Sequence, residues 1–232
     1  MAPVWTRPAA AGKYDANPHR RTAMIRLWGR TTSSNVMKVL MTLDELALPY
    51  ERIDAGGAFG RTDTPDYRSM NPLGLVPSIE DNGVRLFESN AIMRYLCNAH
   101  APASPLYPSA PAARAEVDAW LDFQQTAQSR PASTIFLGLV RTPPEKRDTA
   151  AIAAAVQELA RVWDIAARRA EAQGGYLCGP GLTLADIAYG PHLHRWFHMP
   201  IDNRPDLPQL RAWYDRLCTH PTFRRHVAVK VE

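Results

Sequence analysis

The spacing of apolar and polar positions changes period along the chain, and each change marks an element. Ile25-Arg26-Leu27-Trp28 alternates with period two and predicts a strand. After the hydroxyl-rich turn Gly29-Arg30-Thr31-Thr32-Ser33-Ser34, Val36, Val39, Leu40, Leu43 and Leu46 recur at helical spacing, so a helix begins near Ser33 to Asn35 and closes at Pro49. Tyr50 to Asp54 reads as a second strand. A loop holding Gly56, Gly57 and Gly60 then leads to a weakly helical stretch around Asp66 to Met70. Val76 to Glu80 and Val84 to Phe87 flank Asp81-Asn82-Gly83, and Asn-Gly tolerates the positive φ angles of a tight hairpin. Glu88 to Leu96 turns helical. The order over residues 25 to 100 is β-α-β-α-β-β-α, that of an α+β thioredoxin-like domain spanning residues 24–101.

Pro102, Pro105, Pro108 and Pro111 interrupt any regular element, which makes 102–111 a linker. Beyond it every period is helical: Ala112 to Ser129, a second piece through Val140, Thr149 to Gln173, Leu184 to Phe197 and Asp206 to His220. Residues 112–232 therefore form an all-α C-terminal domain.

With 232 residues, 46% of them apolar, each half can bury a core. The longest apolar runs, such as Ile135 to Val140, fall short of the roughly 18 to 20 residues a spanning helix needs, so no membrane partner is expected. A formal charge of +4 invites a nucleic-acid reading, but residues 1–23 carry Arg7, Lys13, Arg20 and Arg21 against Asp15, a net of +3 that leaves +1 for the rest. Without a basic stripe, nucleic-acid binding is set aside. Residues 1–23 lack the apolar core of a secretory signal and read as a disordered tail, or as a start placed upstream of a true start at Met24. Cys97, Cys178 and Cys218 are widely spaced and odd in number, which indicates buried thiols in a reducing, cytoplasmic compartment rather than a disulfide framework.

Candidate chemistry starts at the first helix. Unpaired N–H groups and the helix dipole favour an anion there, and a thiol with a pKa near 8.5 needs about 2.7 kcal/mol to be brought down two units. Arg30, Ser33, Ser34 and Asn35 are the available donors. A capping role alone also accounts for Ser33 or Ser34. Val76-Pro77 opens a strand in the manner of a cis-proline, which would turn the Val76 backbone toward an extended peptide ligand. Glu88 and Ser89, at another helix start, suit a ligand ammonium and a ligand carboxylate, although a capping pair reads the same way in isolation. Arg141, between an apolar run and Pro143-Pro144, suits either a substrate carboxylate or a solvated helix end. His192, His194 and His198 have no acidic or cysteine partner at ligand spacing, and no metal is expected.

In order and spacing, Leu27-Trp28-Gly29-Arg30, Ser34-Asn35-Val36-x-Lys38-Val39, Asn71-Pro72-x-Gly74-x-Val76-Pro77 and Glu88-Ser89-x-Ala91-Ile92 resemble the glutathione S-transferases. Thr183-x-x-Asp186 adds the capping box such proteins carry in the helical half, and the resemblance covers residues 25 to 227. It implies that Val76 and Pro77 meet the cysteinyl backbone of glutathione, that Glu88 and Ser89 hold its γ-glutamyl end, and that Ser33, Ser34 and Asn35 face its sulfur. It further implies a detoxifying transferase that uses glutathione as co-substrate, works as a homodimer and attacks a small electrophile. Arg30, Ser34-Asn35 and Gly138 to Glu145 are similar to a bacterial subgroup associated with halogenated acids such as bromoacetate, for which Arg141 would hold the carboxylate. Leu75 stands where a lysine or arginine is common, and the first turn holds neither tyrosine nor cysteine. A glutathione-binding carrier without catalysis, or a glutathione-dependent reductase or peroxidase, remains the alternative on the same fold.

Overall fold

A computed structural model describes residues 24–231; the tail expected over residues 1–23 lies outside them. The first half holds strands β1 (Ile25–Trp28), β2 (Tyr50–Ile53), β3 (Ser78–Asp81) and β4 (Val84–Phe87), with helices α1 (Ser34–Glu45), α2 (Pro65–Met70) and α3 (Ser89–His100). The sheet order is β2-β1-β3-β4, with β1 and β2 parallel and the other pairs antiparallel. This is the mixed sheet of a thioredoxin-like domain. The turn between β3 and β4 places Asn82 at φ 48° and Gly83 at φ 84°, the positive angles that Asn-Gly accepts.

Alternation in β1 sends Ile25 and Leu27 to the face covered by α1 and α3, where Val36, Val39, Leu40, Ile92 and Leu96 close a dry layer. The opposite face carries a smaller cluster of Trp28, Ala55 and Tyr67 under α2. Gly29 lets β1 run directly beneath the start of α1: a Cβ there would sit 2.4 Å from a Val36 methyl carbon.

The second half is helical throughout its regular elements: α4 (Pro111–Phe123), α5 (Ser129–Phe136), α6 (Thr149–Ala172), α7 (Leu184–His198), α8 (Pro208–Leu217) and α9 (Pro221–His226). The two pieces expected over 112–140 are one nearly continuous column, in which π-helical segments Gln124–Gln128 and Leu137–Arg141 follow α4 and α5. Each π segment is only five residues long, too short for its altered period to stand out against the helical spacing on either side. The last expected helix also differs: α8 starts at Pro208, whose missing N–H suits a first helical position, and the short α9 follows.

Helix α7 is the axis of this half. Leu184 through Trp196 are all buried, and Tyr189, Trp163, Trp196 and Trp213 stack around it with ring centroids 5.7 to 6.4 Å apart. The Thr183 and Asp186 capping box starts the helix as the sequence indicates. Because α7 also packs against α1, the two halves share one core. Among the described residues no helix is long and apolar enough to cross a membrane.

Candidate functional site

Among the described residues no side chain caps the first turn of α1. Ser33 is the N-cap residue, yet its side chain makes no capping hydrogen bond, so the hydroxyl cap anticipated as an alternative is absent. Ser33 is buried, Ser34 half-buried and Asn35 exposed, so of the three expected sulfur contacts only Ser34 and Asn35 open to solvent. Arg30 lies across the Gly56-Gly57 backbone. A Cβ on Gly56 would fall 3.0 Å from Arg30 Nη1 and 3.1 Å from Val76 Cγ1, which brings Arg30 and Val76 to one place.

The Val76-Pro77 peptide is cis. The segment leading to it is pinned at the exposed Leu75, whose carbonyl accepts from Tyr67 Oη at 2.6 Å and Asn71 Nδ2 at 2.8 Å. Ser78 Oγ donates to Tyr67 Oη at 3.1 Å, extending the brace to the strand after the proline. The backbone at Val76 is thereby held by its neighbours rather than by its own side chain.

Glu88 stands as N-cap of α3 at φ 67° and ψ 110°, a conformation that costs a non-glycine residue on the order of 1–3 kcal/mol. Its side chain makes no capping bond, so the capping-pair reading fails here too. The exposed carboxylate is aimed by a strained backbone rather than spent on its own helix. Ser89 is buried and donates Oγ to Asn35 Oδ1 at 3.3 Å, joining the start of α3 to the first turn of α1.

Beneath this surface lies a charge the helical pattern did not mark as buried. Lys38 on α1 is fully buried and donates Nζ to Gln124 Oε1 at 2.9 Å and Asn90 Oδ1 at 3.4 Å. Burial pushes its ammonium down to about 7, and the Glu88 carboxylate pulls it part of the way back. It ties α1, α3 and the first π-helical segment together below the two helix starts. His192 on α7 is buried beside it; burial, then Lys38 and Arg195, lower its pKa well below the usual imidazole range and keep it neutral.

Arg141 ends the second π-helical segment, exposed, with its guanidinium 5.5 Å from the centre of the Phe136 ring. Its charge reaches the half-buried Arg30, whose pKa falls through burial and then through Arg141. Sequence reasoning missed Arg195, which lies on the buried α7 yet donates Nη2 to Thr32 O at 3.0 Å in the turn ahead of α1. An arginine between two histidines and two aromatic residues, in a helix whose other charged side chain is the capping Asp186, was the available signal. The arrangement gathers a helix start, two small polar side chains and the cations Arg30, Arg141 and Arg195 in one region, suited to an anionic sulfur beside an electrophile. Among the described residues no group of histidine, cysteine and acidic side chains is placed to hold a metal.

Comparison with known proteins gives the family. The family model for the glutathione S-transferase N-terminal domain matches residues 23–98, and that for the C-terminal domain matches residues 149–216. The chain is 41% identical to Glutathione S-transferase GstB of Escherichia coli K12 over 210 residues, covering 90% of this chain and all of that one. It is 28% identical to Glutathione S-transferase 3 of Zea mays, over 89% of this chain and 94% of that one. The crystal structure of a theta class glutathione S-transferase from Xanthomonas axonopodis pv. citri, with glutathione bound, superposes with a TM-score of 0.84 at 45% identity, covering 90% of this chain and 99% of that one.

Proposed function

The chain belongs to the glutathione S-transferase family and uses glutathione as co-substrate, and from that premise we propose that Ser34 and Asn35 hold the thiolate that attacks a small halogenated acid. The observation that carries this reading is the first turn of α1, where the cap hydroxyl of Ser33 makes no capping hydrogen bond and Ser34 and Asn35 open to solvent. Ser34, Asn35 and the helix end favour the thiolate, with Arg30 nearby adding positive charge. The thiolate displaces halide from the carbon beside the carboxylate: a C–S bond forms, the carbon–halogen bond breaks and the thiol proton goes to solvent. Arg141, exposed at the cleft mouth, meets the carboxylate.

In this reading residues 24–101 bind glutathione and 112–232 shape the electrophile's pocket, separated by the linker 102–111. Val76 pairs with the cysteinyl backbone next to Pro77, while Glu88 takes the γ-glutamyl ammonium and Ser89 the adjoining carboxylate. The enzyme acts as a cytoplasmic homodimer. Disulfide exchange at Cys97 and Cys178 is disfavoured because burial pushes both thiols up to about 12 and leaves them poor nucleophiles.

Ultraviolet titration of thiolate absorbance in the glutathione complex, run with bromide release from bromoacetate, tests the whole. A thiol pKa lowered by about two units together with catalysed bromide release is expected. Binding with an unshifted thiol pKa would instead mark a carrier. For the γ-glutamyl contact, E88Q is expected to raise the glutathione dissociation constant about 10- to 100-fold, the worth of one charge-assisted hydrogen bond. Calorimetry showing unchanged affinity would remove Glu88 from the site.

A further inference from the structure

Arg195 combines features that a merely structural arginine does not need. It is 9% exposed, it donates to the Thr32 carbonyl at 3.0 Å across the domain boundary, and its guanidinium lies 3.9 Å from the centre of the Phe136 ring. The same ring carries Arg141 at 5.5 Å. One aromatic side chain at the end of α5 thus gathers two guanidinium groups near the turn ahead of α1.

Burial lowers the Arg195 pKa to about 10, and the charges acting on it, Arg141 and then Arg30, have its own sign and push the same way. On the side of α1 it shares His192 with the buried Lys38, and along α7 it disfavours protonation of His192 and His194, both already pushed toward neutrality by burial. A cation buried among like charges works against folding, and an anion entering the cleft would relieve it. Lysine could not replace the group fully, because the planar fork donates to Thr32 while its face lies on the ring.

We propose that Arg195 is a positioning and specificity residue, which fixes the Thr32 to Asn35 turn from the second domain and makes the electrophile pocket select substrates bearing a carboxylate. The inference rests on the haloacid reading above and extends it to a residue that does not itself reach the reacting atoms. Arg141 meets the anion at the surface. Arg195 raises the positive potential behind it and keeps the sulfur-facing turn in register.

The test compares bromoacetate with its uncharged isostere bromoacetamide at saturating glutathione, corrected for uncatalysed reaction, in wild type, R195M and R195K. Wild type should favour the acid in kcat/KM. R195M should shrink the acid-to-amide ratio at least 10-fold, mainly through KM for the acid, and lower kcat with both substrates. R195K keeps the charge and loses the fork, so it should retain the ratio within about threefold while kcat falls with both. If R195M melts early, R195K decides: loss of acid preference there overturns the proposal. A ratio unchanged in folded R195M also overturns it and leaves the haloacid reading standing. A wild type indifferent to the carboxylate sinks that reading and this inference together.

Discussion

Replacing Asp186 by alanine is expected to lower the unfolding free energy by about 3–5 kcal/mol, more than any single change at the glutathione cleft. The carboxylate is wholly buried and accepts four hydrogen bonds: from Leu177 N at 2.9 Å, Thr183 N at 3.0 Å, Thr183 Oγ1 at 2.8 Å and Trp213 Nε1 at 3.2 Å. Alanine would strand those donors where water cannot reach, at about 1–3 kcal/mol for each that stays unpaired, and remove the cap of the helix around which the second half is built. Urea denaturation reads the loss directly. A shift below about 1 kcal/mol would mean that the donors find other partners.

The pH dependence has a definite sign. Burial raises the Asp186 carboxyl to about 6, above the ordinary carboxylate value, while its donors pull it down. A raised folded-state pKa means that the ionised form carries a cost near pH 7, relieved as pH falls through 6 toward 4. The variant lacks that gain, so the gap between wild type and D186A should widen on mild acidification.

Most of the scaffold was legible because it rests on local physics. Strand β1 alternates, α1 repeats at helical spacing, Asn82-Gly83 closes the hairpin, and Thr183 with Asp186 forms the capping box it spells. What escaped depends on residues brought together from afar. The strain at Glu88 is invisible in a Glu-Ser dipeptide, and the unspent Ser33 side chain becomes apparent only when the cap geometry is known. Lys38 and Arg195 were missed for a further reason: a charge on a helix is ordinarily solvated, and only the packing of α1 against α7 buries both. The α1 to α3 link through Ser89 and Asn35 spans 54 residues, and no spacing rule reports it.

S34A combined with N35A is expected to reduce turnover about 10- to 100-fold at neutral pH while changing glutathione affinity no more than about threefold, and the reason divides into two parts with different pH profiles. Returning the thiol pKa from about 6.5 to 8.5 would cut the thiolate fraction at pH 7 by about 25-fold. The released thiolate is also the better nucleophile, by roughly 8-fold over two units at a Brønsted slope of 0.4–0.5. Ionisation alone therefore costs only about threefold, and the remainder must come from orientation, where misplacing a reacting atom by about 1 Å costs up to about 10²-fold. Above about pH 9 both proteins hold mostly thiolate, so the more nucleophilic thiolate would by itself make the variant roughly 6-fold faster than wild type, and any orientation deficit shows as turnover below that level. A variant that overtakes wild type by roughly 6-fold at high pH would assign Ser34 and Asn35 to ionisation alone, whereas one that only matches it retains an orientation loss of about the same size. Unchanged turnover at pH 7 would remove both from the site and return the first turn of α1 to a purely structural role.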